Sequence, residues 1–142
     1  MAGLLDTADG AAGIFNGDNI DLLLETPVHR YYQITVSPSG ALLDMDRSRG
    51  FHTHWSSQAV IATHQGEDYW SLEIQLPPAG EDAAEMDPDT GIAGSMPNER
   101  APWYFNLGRA RPRAGEVEVT VVAPTGSEHF HNRFKFGRLI VE

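Results

Sequence analysis

The chain has 142 residues, the length of one ordinary domain, and a domain of that size hides roughly two-thirds of its unfolded surface without help from metals or disulfides. It has no cysteine, which excludes disulfide scaffolds, thiolate zinc sites and cysteine nucleophiles. Twenty acidic residues against ten Lys plus Arg give a formal net charge of −10. That charge repels phosphate backbones and anionic headgroups, and no apolar run approaches the ~20 residues needed to cross a bilayer, so neither nucleic-acid binding nor membrane insertion is expected.

Residues 1–14, MAGLLDTADGAAGI, are small, Gly/Ala-rich and acidic, without the basic start and long apolar middle of an export signal. They read as a linker-like start, more like the interior of a longer protein than a natural N-terminus, with a single domain over 15–142. Strands are expected at Asn19–Glu25 (NIDLLLE), Tyr31–Ser37 (YYQITVS), Gln58–His64 (QAVIATH) and Asp68–Leu76 (DYWSLEIQL). Each is short, rich in β-branched or aromatic residues, and bounded by Gly, Pro, Asn or Asp. Residues 77–102 lack strand periodicity and read as a long Pro, Gly and acid-rich loop, with a short helical turn at Glu81–Met86. Strands resume at Trp103–Arg109, Glu116–Val122 and Lys135–Val141. Seven strands with no convincing helix predict an all-β fold, an antiparallel β-sandwich of immunoglobulin or jelly-roll type.

Alternation sorts the side chains into faces. Trp70, Leu72, Ile74 and Leu76 share one face of their strand, while Tyr69, Ser71, Glu73 and Gln75 share the other. The same parity sets Asp21 opposite Leu22 and Leu24, Gln33 and Thr35 opposite Ile34 and Val36, and Tyr104 and Asn106 opposite Trp103 and Phe105. An open sheet face carrying Asp, Gln, Thr, Glu, Tyr and Asn suits a ligand rich in hydroxyls.

Two His-x-His pairs, His52/His54 and His129/His131, could each send two imidazoles to one side of a strand. A transition-metal site normally wants three or four supported ligands, so rim histidines are the expectation. Asp87 and Asp89 in DPDTG resemble the opening of a calcium loop, but the distal bidentate Glu is missing; they are a weak candidate for a structural Ca2+, and no other cofactor is indicated. A facing carboxylate pair such as Asp21 and Glu73 could in principle serve a glycosidase mechanism, although two acids on a sheet face are ordinarily hydrogen-bonding groups. There is no G-x-S-x-G, Walker loop or H-E-x-x-H, and the expectation is a non-enzymatic domain.

Three segments in order, GDNIDLLLE at 17–25, YWSLEIQLP at 69–77, and WYFNLGR at 103–109 leading to FHNRFKFGRLIV at 130–141, resemble the carbohydrate-binding module family 9 domains and their DOMON-like relatives. The resemblance runs from about Phe15 to the C-terminus. It implies a β-sandwich that holds a terminal sugar between two aromatic rings while polar side chains meet the hydroxyls, a mode in which ring faces bury the sugar's apolar surface. The family pattern falls on Phe15 and Phe130 as stacking walls and on Asp21 as the ligand-binding acid. Asn106 is a further hydroxyl partner, Gln33 shares the polar face, and Glu73 and His131 stand at the rim. The chain departs from the family at both walls, where Phe replaces Trp, at Thr35, where a basic residue is lost, and at Asp21, which replaces the longer Glu.

Family domains also carry strands ahead of the D-x-x-acid motif, whereas a short Gly/Ala-rich segment precedes Phe15, so a sheet edge is expected to be open for pairing with another segment or chain. The implied role is attachment of a larger exported, periplasmic or surface protein to a saccharide or polysaccharide. Two alternatives come from other classes. One is a haem-binding DOMON-like redox domain, for which Met45, Met86 and Met96 are the available thioethers. The other is a sandwich used for interaction without a small ligand. Bland structural roles are expected for Trp70 and Trp103 in the core, for Glu73 paired with Arg109, and for Trp55 capping one end of the sandwich.

Overall fold

A computed structural model describes residues 13–50, 53–80, 87–126 and 131–141. Ten strands follow in chain order: β1 Asn19–Thr26, β2 His29–Val36, β3 Leu42–Asp46, β4 Val60–Gln65, β5 Trp70–Gln75, β6 Pro78–Gly80, β7 Ile92–Ala93, β8 Trp103–Arg113, β9 Glu116–Val121 and β10 Gly137–Leu139. Six of them form one antiparallel sheet in the order β10-β8-β1-β2-β3, with β9 also paired to β8. Residues 103–105 of β8 carry β10 and residues 108–113 carry β9, while β1 takes residues 104–110 on the other edge. Hence β9 and β10 run along the same edge of β8, separated by an excursion of the chain.

The second layer is smaller. It consists of the antiparallel hairpin β4–β5, the short parallel pair β6–β7, and the segment around Trp55. Between the layers lie Leu24, Tyr32, Ile34, Val36, Trp55, Ile92 and Trp103, with Leu22, Leu42, Ile61, Leu72, Leu76, Phe105 and Leu139 packed around them. The expected alternation produces this arrangement: even positions of β1 and β2 and odd positions of β8 point into the core. In β5 the same period leaves Ser71, Glu73 and Gln75 exposed. The fold is an all-β, sandwich-like antiparallel architecture, as the strand pattern predicts.

Three strands were not foreseen. β3 (LLDMD) interrupts apolar residues with the half-buried Asp44 and the buried Asp46, and β6 and β7 are too short to show a period within the segment read as loop. Trp55, expected to cap one end of the sandwich, is buried as a member of the core between the layers. Its ring stacks on Tyr32 at 4.2 Å between centroids, Tyr32 stacks on His29 at 4.4 Å, and its indole N–H donates to Gly91 O at 2.8 Å. Beside β9 a groove lined by Ile20, Leu107, Arg109, Thr120 and Val122 lies open.

Candidate binding face

The face of the large sheet opposite the core carries the polar residues singled out by parity. Register aligns Asp21 with Thr35 and Gly108, and Leu23 with Gln33 and Asn106, so Asp21, Gln33, Thr35 and Asn106 are gathered on neighbouring strands. This face is not open as expected. Asp21 is 4 % exposed, Gln33 3 %, and Thr35 and Asn106 0 %. The cause is partly visible in the excursion after β9. On its return Phe136 packs with Leu23, Tyr31 and Val121, and His131 meets Tyr31, whose hydroxyl lies 3.4 Å from His131 Nδ1.

Buried polar groups need partners, and the cluster supplies most of them internally. Gln33 Nε2 donates to Asp21 Oδ1 at 2.9 Å, and the Thr35 hydroxyl donates to the same oxygen. Burial pushes the Asp21 carboxyl above the usual carboxylate range; the Thr35 and Gln33 hydrogen bonds, then the charges of His131 and Arg47, act against that without cancelling it. Gln33 Oε1 is buried and accepts from no donor among the described residues. Asn106 has a structural task. Its Nδ2 donates to Ala123 O and its Oδ1 accepts from Ala123 N–H, both at 3.0 Å, so the side chain holds the point at which the chain leaves the β8 edge.

The other sequence candidates separate from this cluster. Glu73 lies on β5, opposite Ala62, on the exposed side of the small hairpin, so it shares no face with Asp21 and the two cannot act as a facing carboxylate pair. Nor does it pair with Arg109, which instead grips Asp18 through Nε at 3.0 Å and Nη2 at 2.6 Å, with the Trp70 indole donating to Asp18 as well. The Arg109 hydrogen bond is the main reason that the Asp18 carboxyl lies below its ordinary value. Parity sorts side chains within a strand and does not say which strands share a sheet. Phe15 is 43 % exposed in the turn before β1. Phe130, its intended counterpart, lies outside the described residues, as do His52, His129, Glu81, Asp82, Glu85 and Met86.

Asp87 and Asp89 do not build a cation loop on their own. Asp87 Oδ1 accepts from Asp89 N–H at 3.1 Å, and Asp89 Oδ1 accepts from Arg49 Nη2 at 2.8 Å. Among the described residues no group of three or more metal-ligating side chains comes together. Met45 is buried on β3 opposite Gln33, whereas Met96 is 54 % exposed.

Two features escaped the sequence. Tyr31 falls on the face of Gln33 and Thr35, a position that the alternation in YYQITVS already gave. The second is a Ser48, His29 and Asp46 cluster, which superficially resembles a nucleophile triad. In it His29 Nε2 contacts both Asp46 Oδ1 at 2.9 Å and Ser48 Oγ at 3.2 Å, while Ser48 Oγ donates to Asp46 Oδ1 at 2.7 Å. A triad needs the acid and the nucleophile on different ring nitrogens. Here one nitrogen serves both, so the cluster is an anchor at the end of β3, supplemented by the Arg49 guanidinium at 3.2 Å from Asp46 Oδ2.

Compared with protein families, with curated proteins and with solved structures, the chain shows no match.

Proposed function

We propose that this chain is a non-catalytic carbohydrate-binding module, an attachment domain of a larger exported or surface protein, and that the saccharide is held on the polar face of the large sheet. The observation that carries the reading is Gln33: its amide nitrogen is fixed by Asp21, which leaves Oε1 within a buried polar cluster with no donor to accept from among the described residues. A buried amide oxygen in that condition costs about 1–3 kcal/mol, and a ligand hydroxyl donating to it would recover that cost. Asp21 and Thr35 beside it offer further oxygen atoms. Tyr31 and His131, half-buried at the outer side, supply ring surface of the kind on which a sugar's apolar face stacks. Access requires the Tyr31–His131 contact to part.

A glycan array followed by calorimetry with mono- and oligosaccharides tests the proposal. Wild-type protein should bind a subset of glycans, and Gln33→Met, which retains volume, should abolish the heat of binding while the circular dichroism spectrum persists. Tyr31→Ala should weaken binding about tenfold by removing the ring surface on which the sugar stacks. Phe130→Ala examines the stacking wall implied by the family resemblance. Absence of saccharide binding at millimolar concentration, or an affinity indifferent to Gln33→Met, would overturn the reading.

A further inference from the structure

The edges of the large sheet differ in how they are covered. On β3, Asp44 holds the backbone N–H and the hydroxyl of Ser57 through its carboxylate on the core face, and just past β10 the Val141 N–H donates to Pro97 O, so both end strands are tied to other segments. β9 has no such neighbour among the described residues, and Val117 and Val119 are 62 % and 38 % exposed. The phase of its hydrogen bonds follows from Val122, whose N–H donates to Leu107 O. Backbone groups alternate direction along a strand, so Thr120, Glu118 and Glu116 also turn toward β8, while Val117, Val119 and Val121 direct N–H and C=O outward. The opposite edge of the same hairpin is blocked: Ala110 is the last β8 residue paired with β1, and Pro112, which turns the same way, has no N–H to offer. β9 carries no proline and no lysine.

We propose that two copies of this chain pair through β9, antiparallel about a two-fold axis at Val119, so that the sheet of one copy continues into the other. The register is selected by chemistry. Centred on Val119, the three outward-facing residues of each copy meet one another, Val119 with Val119 and Val117 with Val121, and all their outward backbone groups are satisfied. Glu118 then lies opposite Thr120, and Glu116 opposite Val122. Centred on Glu118 instead, two of the valines would pair but Glu118 would face Glu118, a direct like-charge contact. The chosen register also lines up the valines of both copies on one side of the joined sheet. A two-fold contact closes on itself and ends at a dimer. This association is independent of the carbohydrate reading.

The absence of cysteine makes a clean test. At the two-fold, Val119 Cα atoms would stand about 5.5 Å apart, inside the range that a disulfide spans. Val117 from the two copies would be more than about 13 Å apart. Under mild oxidation Val119→Cys should form a covalent dimer, whereas Val117→Cys, on the same edge and more exposed, should remain monomeric. Sedimentation of the wild-type protein from about 10 µM to about 1 mM should show a monomer–dimer equilibrium, the range expected of a contact below about 1,200 Å2. Because each copy carries −10, the dimer fraction should rise with salt. Val119→Pro removes the outward N–H but none of those used by β8, and should raise the dimer dissociation constant about tenfold with the fold intact. A monomer at every concentration, equal cross-linking at Val117→Cys, or a dimer indifferent to Val119→Pro would each overturn the proposal. Saturable capture of a different protein by β9 at concentrations where the chain remains monomeric would do so as well.

Discussion

At Asp46, burial and hydrogen bonding act on one carboxylate in opposite directions. The side chain is 1 % exposed, and burial pushes its pKa up. Hydrogen bonds from Ser48 and His29, with the His29 charge, outweigh burial and hold the group below its ordinary value. A folded pKa below the unfolded value of about 3.9 means that the ionised form stabilises the fold above that pH, and that the contribution is lost as pH falls through the folded value. Asp46→Asn should therefore cost about 2–3 kcal/mol at pH 7, as expected for charge-assisted bonds, and the gap to wild type should narrow below about pH 4. Urea midpoints across pH 3–7 check this, and a gap constant with pH would show that the charge is immaterial. Asp21 has the opposite sign. Burial raises its pKa, so its contribution is present below the unfolded value and is lost as pH rises through the folded one. Asp46 and Asp21 are thus distinguishable by the direction of their pH response, although both are buried aspartates on the same sheet.

Among the elements, the β8–β9 hairpin shows the closest match between local chemistry and geometry. Arg113 pairs with Glu116, which leaves Ala114 and Gly115 as a two-residue loop, and both have positive φ, at 50° and 85°. A turn with two positive-φ residues suits the right-handed twist of a hairpin, and it favours Asn-Gly. Ala114 bears the Cβ cost of the left-handed region, about 1–2 kcal/mol, which Asn reduces. Ala114→Asn should raise stability by about 0.5–1 kcal/mol, seen as a higher thermal midpoint; a lower midpoint would mean that the turn is not of this kind. Sequence reading recovered both strands of this hairpin because each alternates cleanly, though it ended β8 at Arg109 rather than Arg113. It missed β3, where the half-buried Asp44 and the buried Asp46 occupy positions that alternation assigns to solvent and that only tertiary hydrogen bonds make tolerable. At the candidate site, the shared parity of Asp21, Gln33, Thr35 and Asn106 was legible. That the excursion's return would pack on that face, and that Glu73 belongs to a different sheet, was not, because both depend on contacts distant in sequence.

For the molecule as a whole, the question is how a six-stranded sheet gains a core from so small a second layer. The β4–β5 hairpin contributes Ile61 and Leu72, both only partly buried, and β7 contributes Ile92. The largest fully buried side chain is Trp55, which lies in no strand, stacks on Tyr32 of β2 and bonds to Gly91 next to β7. It therefore ties the sheet to the second layer through one ring and one N–H. An isolated two-stranded hairpin is marginal in water, so β4–β5 depends on this packing rather than on its own ladder. Trp55→Ala would leave a cavity between the layers at a cost of about 3–5 kcal/mol. Against a total of about 5–15 kcal/mol for a domain, that is enough to loosen the second layer as a unit. The expected result is a large drop in urea midpoint together with selective loss of amide-exchange protection in residues 60–75 and 92–93, while the β1–β2–β8 ladder keeps most of its own. Because β1 and β2 pair with each other and with the rest of the large sheet, their hydrogen bonds do not require Trp55, whereas the hairpin is a two-stranded sheet of its own among the described residues. Uniform loss of protection would instead mean that the two layers fold and unfold as one cooperative body, with Trp55 stabilising the whole.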